Sequence, residues 1–225
     1  MSYRFLIPIV ALFCLSIALL FFNPGPQDSA IQLLQSAIEK GDVSGTEVIL
    51  KRHPELKEKQ FEKGMTFMHL MAEQGNVPML SALVAGGFDV EIRDKTKRTP
   101  LFVATVGGKH SAVAALINLG ASVDAANMIG MTPLHVAGNR GDIKALELLL
   151  QSGANVSLAM TGGSTALHSA AYAGQFEAVK LLMDSGAAIG ALDNKGASPY
   201  DYAKSANHVE IAIYLKDKMK NQGSE

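Results

Sequence analysis

Residues 130–137 read Gly-Met-Thr-Pro-Leu-His-Val-Ala, followed by Leu-Leu-Leu at 148–150 and Gly-Ala-Asn at 153–155. The stretch carries its own punctuation. The Thr132 hydroxyl can accept an orphan backbone N–H at the start of a helix. Pro133 fits the first helical position, where a missing N–H costs nothing. Gly141 stops that helix and Gly153 stops a second one, Ile143 to Leu150, whose apolar residues fall at helical spacing. The spacing therefore predicts helix, turn, helix and loop within a few dozen residues.

The same punctuation recurs. Thr66-Phe-Met-His69, Thr99-Pro-Leu-Phe102, Thr132-Pro-Leu-His135, Thr165-Ala-Leu-His168 and Ser198-Pro-Tyr-Asp201 start 33 residues apart. Nine residues after each hydroxyl come Gly75, Gly108, Gly141, Gly174 and Asn207, and 21 after come Gly87, Gly120, Gly153 and Gly186. Two before come Gly64, Gly130, Gly163 and Gly196, with Lys97 as the exception. Self-similarity at a fixed period is the mark of a solenoid, because one such unit cannot bury its own apolar face.

These residues resemble the ankyrin repeat, with its T-P-L-H opening and 33-residue period. The resemblance covers about residues 30–219 and implies an all-α solenoid of about six helix-turn-helix units joined by hairpin-like loops. The units fall at about 30–64, 65–97, 98–130, 131–163, 164–196 and 197–219. The first is degenerate: Gly41 lies 34 residues before Gly75, and Pro54 stands where later units have glycine. The last is expected to end the stack with polar side chains at Lys204, Glu210, Lys216, Asp217, Lys218 and Lys220. Lys97, in place of the turn glycine, predicts a strained or differently shaped finger. Phe102, in place of histidine, removes one donor from the hairpin network.

The N-terminus is of another kind. Residues 5–22 read FLIPIVALFCLSIALLFF, without a charge, and stop at Asn23-Pro-Gly-Pro26. As a helix they would span about 27 Å, near the thickness of a bilayer core. An uncleaved membrane anchor over 1–22 is the first reading, with 23–29 as a Pro/Gly linker and 220–225 as a flexible tail. The alternative is a cleaved signal ending at Ser16-Ile-Ala18, which would leave Leu19-Leu-Phe-Phe22 on the mature end. Cys14 follows the bulky Phe13, which fits a lipoprotein signal poorly. Arg4 precedes the stretch and the next basic residue is Lys40, so both readings place the repeats outside the cytoplasm. In a bacterium that is the periplasmic face of the inner membrane, or the soluble periplasm after cleavage.

Composition narrows the function. There are 20 basic and 21 acidic residues among 225, a net charge of −1, which argues against nucleic-acid binding. A single cysteine excludes a disulfide framework or cysteine-cluster metal site. His69, His135 and His168 recur with the repeat, so one hydrogen-bonding histidine per unit explains them. Units stacked about 10 Å apart could not share a zinc. Gly107-Gly-Lys-His-Ser111 lacks the glycine and Ser or Thr placement of a phosphate loop. Asp142, Glu147 and Asp184 have no partner at acid–base spacing, and Asn155-Val-Ser157 is a lone glycosylation triplet. No catalytic residue, cofactor, metal or small-molecule substrate is expected.

A non-enzymatic module that binds a protein partner remains, with residues 5–22 in the membrane. The resemblance implies docking against hairpin tips and the concave face of the first helices. Met128 and Ile129 put apolar groups on a tip that is usually polar. Arg140 and Tyr172 lie late in the first helices of adjoining units, and both types favour interface anchors. These four are expected to be neighbours in space. Lys95 and Arg98 belong to a basic tip at 93–98. A chaperone-like or immunity-type partner of an exported protein is the alternative within binding, and an accessory enzyme subunit the one outside it. A deep polar pocket with a perturbed titrating group would favour the enzyme, and a broad shallow groove the binder.

Overall fold

The computed structural model describes residues 26–222. The apolar stretch 5–22, with its anchor and signal readings, lies outside the described residues. Within them are twelve α-helices: α1 (Pro26–Glu39), α2 (Val43–Arg52), α3 (Phe67–Gln74), α4 (Val77–Ala85), α5 (Pro100–Val106), α6 (His110–Asn118), α7 (Pro133–Arg140), α8 (Ile143–Gln151), α9 (Ala166–Tyr172), α10 (Phe176–Asp184), α11 (Pro199–Ser205) and α12 (Val209–Gln222). Two short 3₁₀ turns, Pro54–Glu58 and Glu62–Gly64, stand between α2 and α3. The first helix thus begins inside the stretch read as linker, and the last runs past 219. No strand forms among the described residues, only one antiparallel bridge, Ala159 to Thr165.

The helices pack in two rows. Helices α3, α5, α7, α9 and α11 each touch the next in an inner row, while α2, α4, α6, α8 and α10 form the outer row. Leu101, Leu134 and Leu167 sit at one register of the inner row and are fully buried. Ala104, Ala137, Ala170 and Ala203 sit three residues on and are likewise buried. Alanine there lets neighbouring helices approach closely, and Gly138 goes further: a Cβ on it would stand 3.1 Å from the Ala166 carbonyl. The outer row contributes Leu80, Val113, Leu146 and Val179, also sealed from solvent. The core is therefore one continuous strip along the stack, with no unit holding a core of its own.

The caps follow the sequence. Thr66, Thr132 and Thr165 make capping boxes with His69, His135 and His168, and Ser198 makes one with Asp201. Thr99 caps α5 through the Phe102 N–H alone. Gly75, Gly141 and Gly174 take positive φ, and Asn207 does so at 62°. The outer helices have caps that sequence reading overlooked. Asp42, Asn76 and Asp142 accept from the backbone N–H three residues on.

Successive fingers are laced at their tips. Lys95 N–H donates to the Lys63 carbonyl, Met128 to Thr96, Thr161 to Ile129 and Asn194 to Gly162, at 2.9–3.1 Å. Lys97 takes φ 61°, the left-handed conformation that glycine supplies in the other fingers. An L-residue there costs roughly 1–2 kcal/mol, part of which glycine returns as backbone entropy. Lys97→Gly is therefore expected to raise stability by up to about 1 kcal/mol. An unchanged or lowered urea midpoint would contradict it.

Candidate protein-binding surface

The shape of the fingers decides which side chains reach solvent. Asp94 folds its finger around one carboxylate. Its Oδ1 accepts from the Thr96 and Arg98 N–H groups and the Thr96 hydroxyl, and its Oδ2 from Arg98 Nε at 2.7 Å. Burial pushes this carboxyl up, but those donors pull harder and hold it below the usual carboxylate range. Asn127 and Asp193 use the same device, accepting from Ile129 and Met131, and from Lys195 and Ala197. Asx residues at 94, 127 and 193 stand on the 33-residue period, with Met160 interrupting the column, and that pattern is legible in the sequence. Arg98 is thus tied into its own finger, and Arg93 bridges to the Ala126 carbonyl at 2.7 Å in the next. Lys95 and Lys97 are the cations that project from this tip.

The next tip is apolar. Met128 is 62% exposed and Ile129 53%. Their backbone is held on both sides by the lacing, so the side chains stand on a rigid base. Arg140 ends α7 and Tyr172 ends α9, both exposed and at matching ends of adjacent inner helices. The Tyr172 ring meets Tyr202 edge-on at 6.1 Å between centroids.

These four residues form two patches. Met128 and Ile129 lie just before Thr132, where α7 starts. Arg140 is at the far end of the same helix, eight residues or about 12 Å away. The expectation that all four are neighbours is thereby corrected. The finger tip and Arg140 stand at opposite ends of one helix, which sets the two patches apart. Between the patches runs a strip in one register: Leu70, Val103, Val136, Ser169 and Tyr202. It is apolar at the N-terminal end and hydroxyl-bearing at the other.

That hydroxyl end holds an arrangement that invites a catalytic reading. Ser164 donates to the Tyr202 oxygen at 2.7 Å, and Tyr202 donates to Asp193 Oδ2 at 2.8 Å. His168 lies edge-on to Tyr202 at 4.9 Å. Both histidine nitrogens are already committed. Nδ1 accepts from the Thr165 N–H at 3.1 Å and faces the Thr165 hydroxyl at 2.9 Å, and Nε2 donates to the Ala197 carbonyl at 3.1 Å. Neither is hydrogen-bonded to Ser164 or Asp193. Donation from Ser164 draws the Tyr202 phenol down, but burial and Asp193 together leave it raised, so it stays protonated at neutral pH. Every buried side-chain nitrogen or oxygen among the described residues has a partner. No group of three or more His, Cys, Asp or Glu among them could hold a metal ion.

The recurring histidines are structural. His69 and His135 repeat the geometry of His168, with Nε2 donating to the Arg98 and Ser164 carbonyls of the following unit. Each histidine therefore closes its own cap and ties one unit to the next. Phe102 cannot, so the join between the 98–130 and 131–163 units lacks this bond.

A family profile described as ankyrin repeats, three copies, matches residues 33–127, 68–160 and 134–224. The chain belongs to the ankyrin-repeat family. No curated protein matches it. Ankyrin repeats generally mediate protein–protein interaction and are typically non-enzymatic. Among the described residues no helix is long and apolar enough to cross a membrane.

The buried histidines make the fold of this ankyrin-repeat protein sensitive to acid. Burial disfavours the imidazolium and lowers the pKa of His69, His135 and His168, against a smaller upward pull from the carbonyls. The unfolded chain then binds protons that the folded one refuses. Their contribution is fully present above the ordinary histidine pKa of about 6.5. It is lost as pH falls through that value toward the lower folded pKa, by at most about 1.4 kcal/mol per pH unit for each histidine. Urea unfolding is expected to give lower stability at pH 5.5 than at pH 7.5. Equal stability at the two would refute the assignment.

Proposed function

We propose that the chain is a membrane-tethered recognition module whose ankyrin repeats dock a protein partner outside the cytoplasm. Residues 5–22 are the tether in this reading. The repeats bind through the tips and the inner-helix face. The observation that carries it is the pair of exposed apolar side chains, Met128 and Ile129, on a tip whose backbone is fixed by hydrogen bonds to both neighbours. An apolar group displayed on a rigid rim suits contact with another protein, and Met adapts to varied surfaces. The inner face adds Val106 and Tyr172, both exposed.

Two measurements test this. Affinity purification from solubilised membranes identifies the partner, whose binding is then titrated against the intact chain. Tethering is read separately. The protein is expected to sediment with membranes and to resist alkaline carbonate. A soluble exported form whose N-terminus begins at Leu19 would refute the tether and leave the binding reading standing.

A further inference from the structure

Charge is unevenly placed along the row of fingers. The first two tips, residues 59–64 and 93–98, hold six basic residues and two acidic ones, in a chain whose net charge is −1. The next two, 126–131 and 159–164, hold no charge. Folding uses part of the basic excess. Arg98 is spent on Asp94 at 2.6 Å, and Arg93 on the Lys97 and Ala126 carbonyls. Lys63, Lys95 and Lys97 are exposed, and none of them enters an ion pair among the described residues. The Lys95 N–H bond to the Lys63 carbonyl sets two of them side by side across the join. Two stand on left-handed backbone, Lys63 at φ 59° and Lys97 at φ 61°, which is costly for any residue with a Cβ. Strain of that kind points to a role for the side chain it carries. Glycine fills the position of Lys97 in the other fingers, so this cation displaces the residue that fits the turn best.

We infer that the basic tips and the apolar tip form one binding strip, and that its occupant is an acidic, extended segment of the protein partner. The inference rests on the reading of Met128 and Ile129 as the apolar contact, and adds the chemistry of what meets it. The lacing makes the strip continuous. The Met128 N–H donates to the Thr96 carbonyl at 2.9 Å, so the apolar pair follows directly on the lysines. Units stack about 10 Å apart, and an extended chain covers that distance in about three residues. Carboxylates about three and six residues from an apolar side chain would therefore meet Lys95 and Lys63 while that side chain rests on Met128 and Ile129. The charge calls for them. Of the two carboxylates on these tips, Asp94 is held by Arg98, and Glu62 alone is left to balance three lysines. An anionic membrane fits less well. Its headgroups are mobile and offer charge everywhere, so lysines held at fixed points by strained backbone gain nothing there over flexible ones. A polypeptide carries its charges at fixed intervals.

The test uses the full chain in its own membranes, with a benzophenone amino acid replacing Ile129 beside an intact Met128. After irradiation at low salt, the cross-linked peptide is sequenced by mass spectrometry. The expected adduct is to another protein, in a segment with Asp or Glu about three and six residues from the cross-linked one. Its yield is expected to fall at least tenfold in Lys63→Glu/Lys95→Glu, and several-fold in high salt, which screens exposed charges. Lys97→Gly is expected to lower it about threefold, the worth of one exposed ion pair. That variant relieves strain, so its loss of yield cannot come from unfolding, and it decides the matter if the charge reversal unfolds. Urea midpoints of all the variants serve as the folding control. A protein adduct indifferent to the lysines and to salt, or in a segment without those carboxylates, would overturn this inference and leave the apolar contact standing. An adduct to lipid or nucleic acid, or none at all, would overturn both.

Discussion

Gly163→Ala is expected to cost about 3 kcal/mol, whereas Gly153→Ala costs only about 1. Both glycines have positive φ, 84° and 85°. Both replacements therefore carry the left-handed penalty of an L-residue, roughly 1–2 kcal/mol. Their surroundings differ. A Cβ on Gly153 meets nothing within 4 Å. A Cβ on Gly163 would stand 2.7 Å from the Asn194 backbone nitrogen and 3.0 Å from the Asp193 carbonyl carbon. Backbone cannot rotate aside as a side chain can, so the laced tips must separate, which adds an overpacking cost of about 1–3 kcal/mol. At Gly196, among the described residues, no atom lies within 4 Å of the position. Gly196→Ala is expected to resemble Gly153→Ala. Urea titrations of the three variants decide this, and equal losses at Gly163 and Gly196 would show that finger packing contributes nothing.

Met128→Ser/Ile129→Ser is expected to weaken partner binding by about 2 kcal/mol, roughly thirtyfold in affinity. Folding should hardly change, since both side chains are exposed and surface changes usually move stability by less than about 0.5 kcal/mol each. Arg140→Ala/Tyr172→Ala tests the second patch on its own. The two patches lie at opposite ends of α7, so their losses should add if one partner spans both. A loss at only one places the contact at the fingers or at the far helix ends. Full affinity in both double variants would move the site to Lys95 and its neighbours. Lost binding together with a large fall in urea midpoint would make these side chains structural and end the interface claim.

The candidate surface was partly legible in advance. An apolar pair at a finger tip can be read from 127–131, because tips are exposed by construction and the period locates them. Arg98 was harder to place. Its role depends on Asp94, four residues before it, and only the folded finger brings the guanidinium to the carboxylate at 2.6 Å.

What the sequence determined by itself is the repeating unit. Hydroxyl, proline and glycine act over three or four residues, through caps and positive φ, so their spacing set the helix ends and the solenoid without reference to anything distant. Their stacking was implied too, since a two-helix unit cannot bury its own apolar stripe. Only the tertiary structure decided what each side chain meets in the neighbouring unit. His168 reaches the Ala197 carbonyl, Gly163 faces the Asn194 backbone and Tyr202 joins Ser164 to Asp193, all across joins of 29 residues or more, save Tyr202 to Asp193 within its own neighbourhood. Such contacts depend on the offset and tilt between units, which arise from the summed packing of whole helix faces and leave no short pattern in the chain.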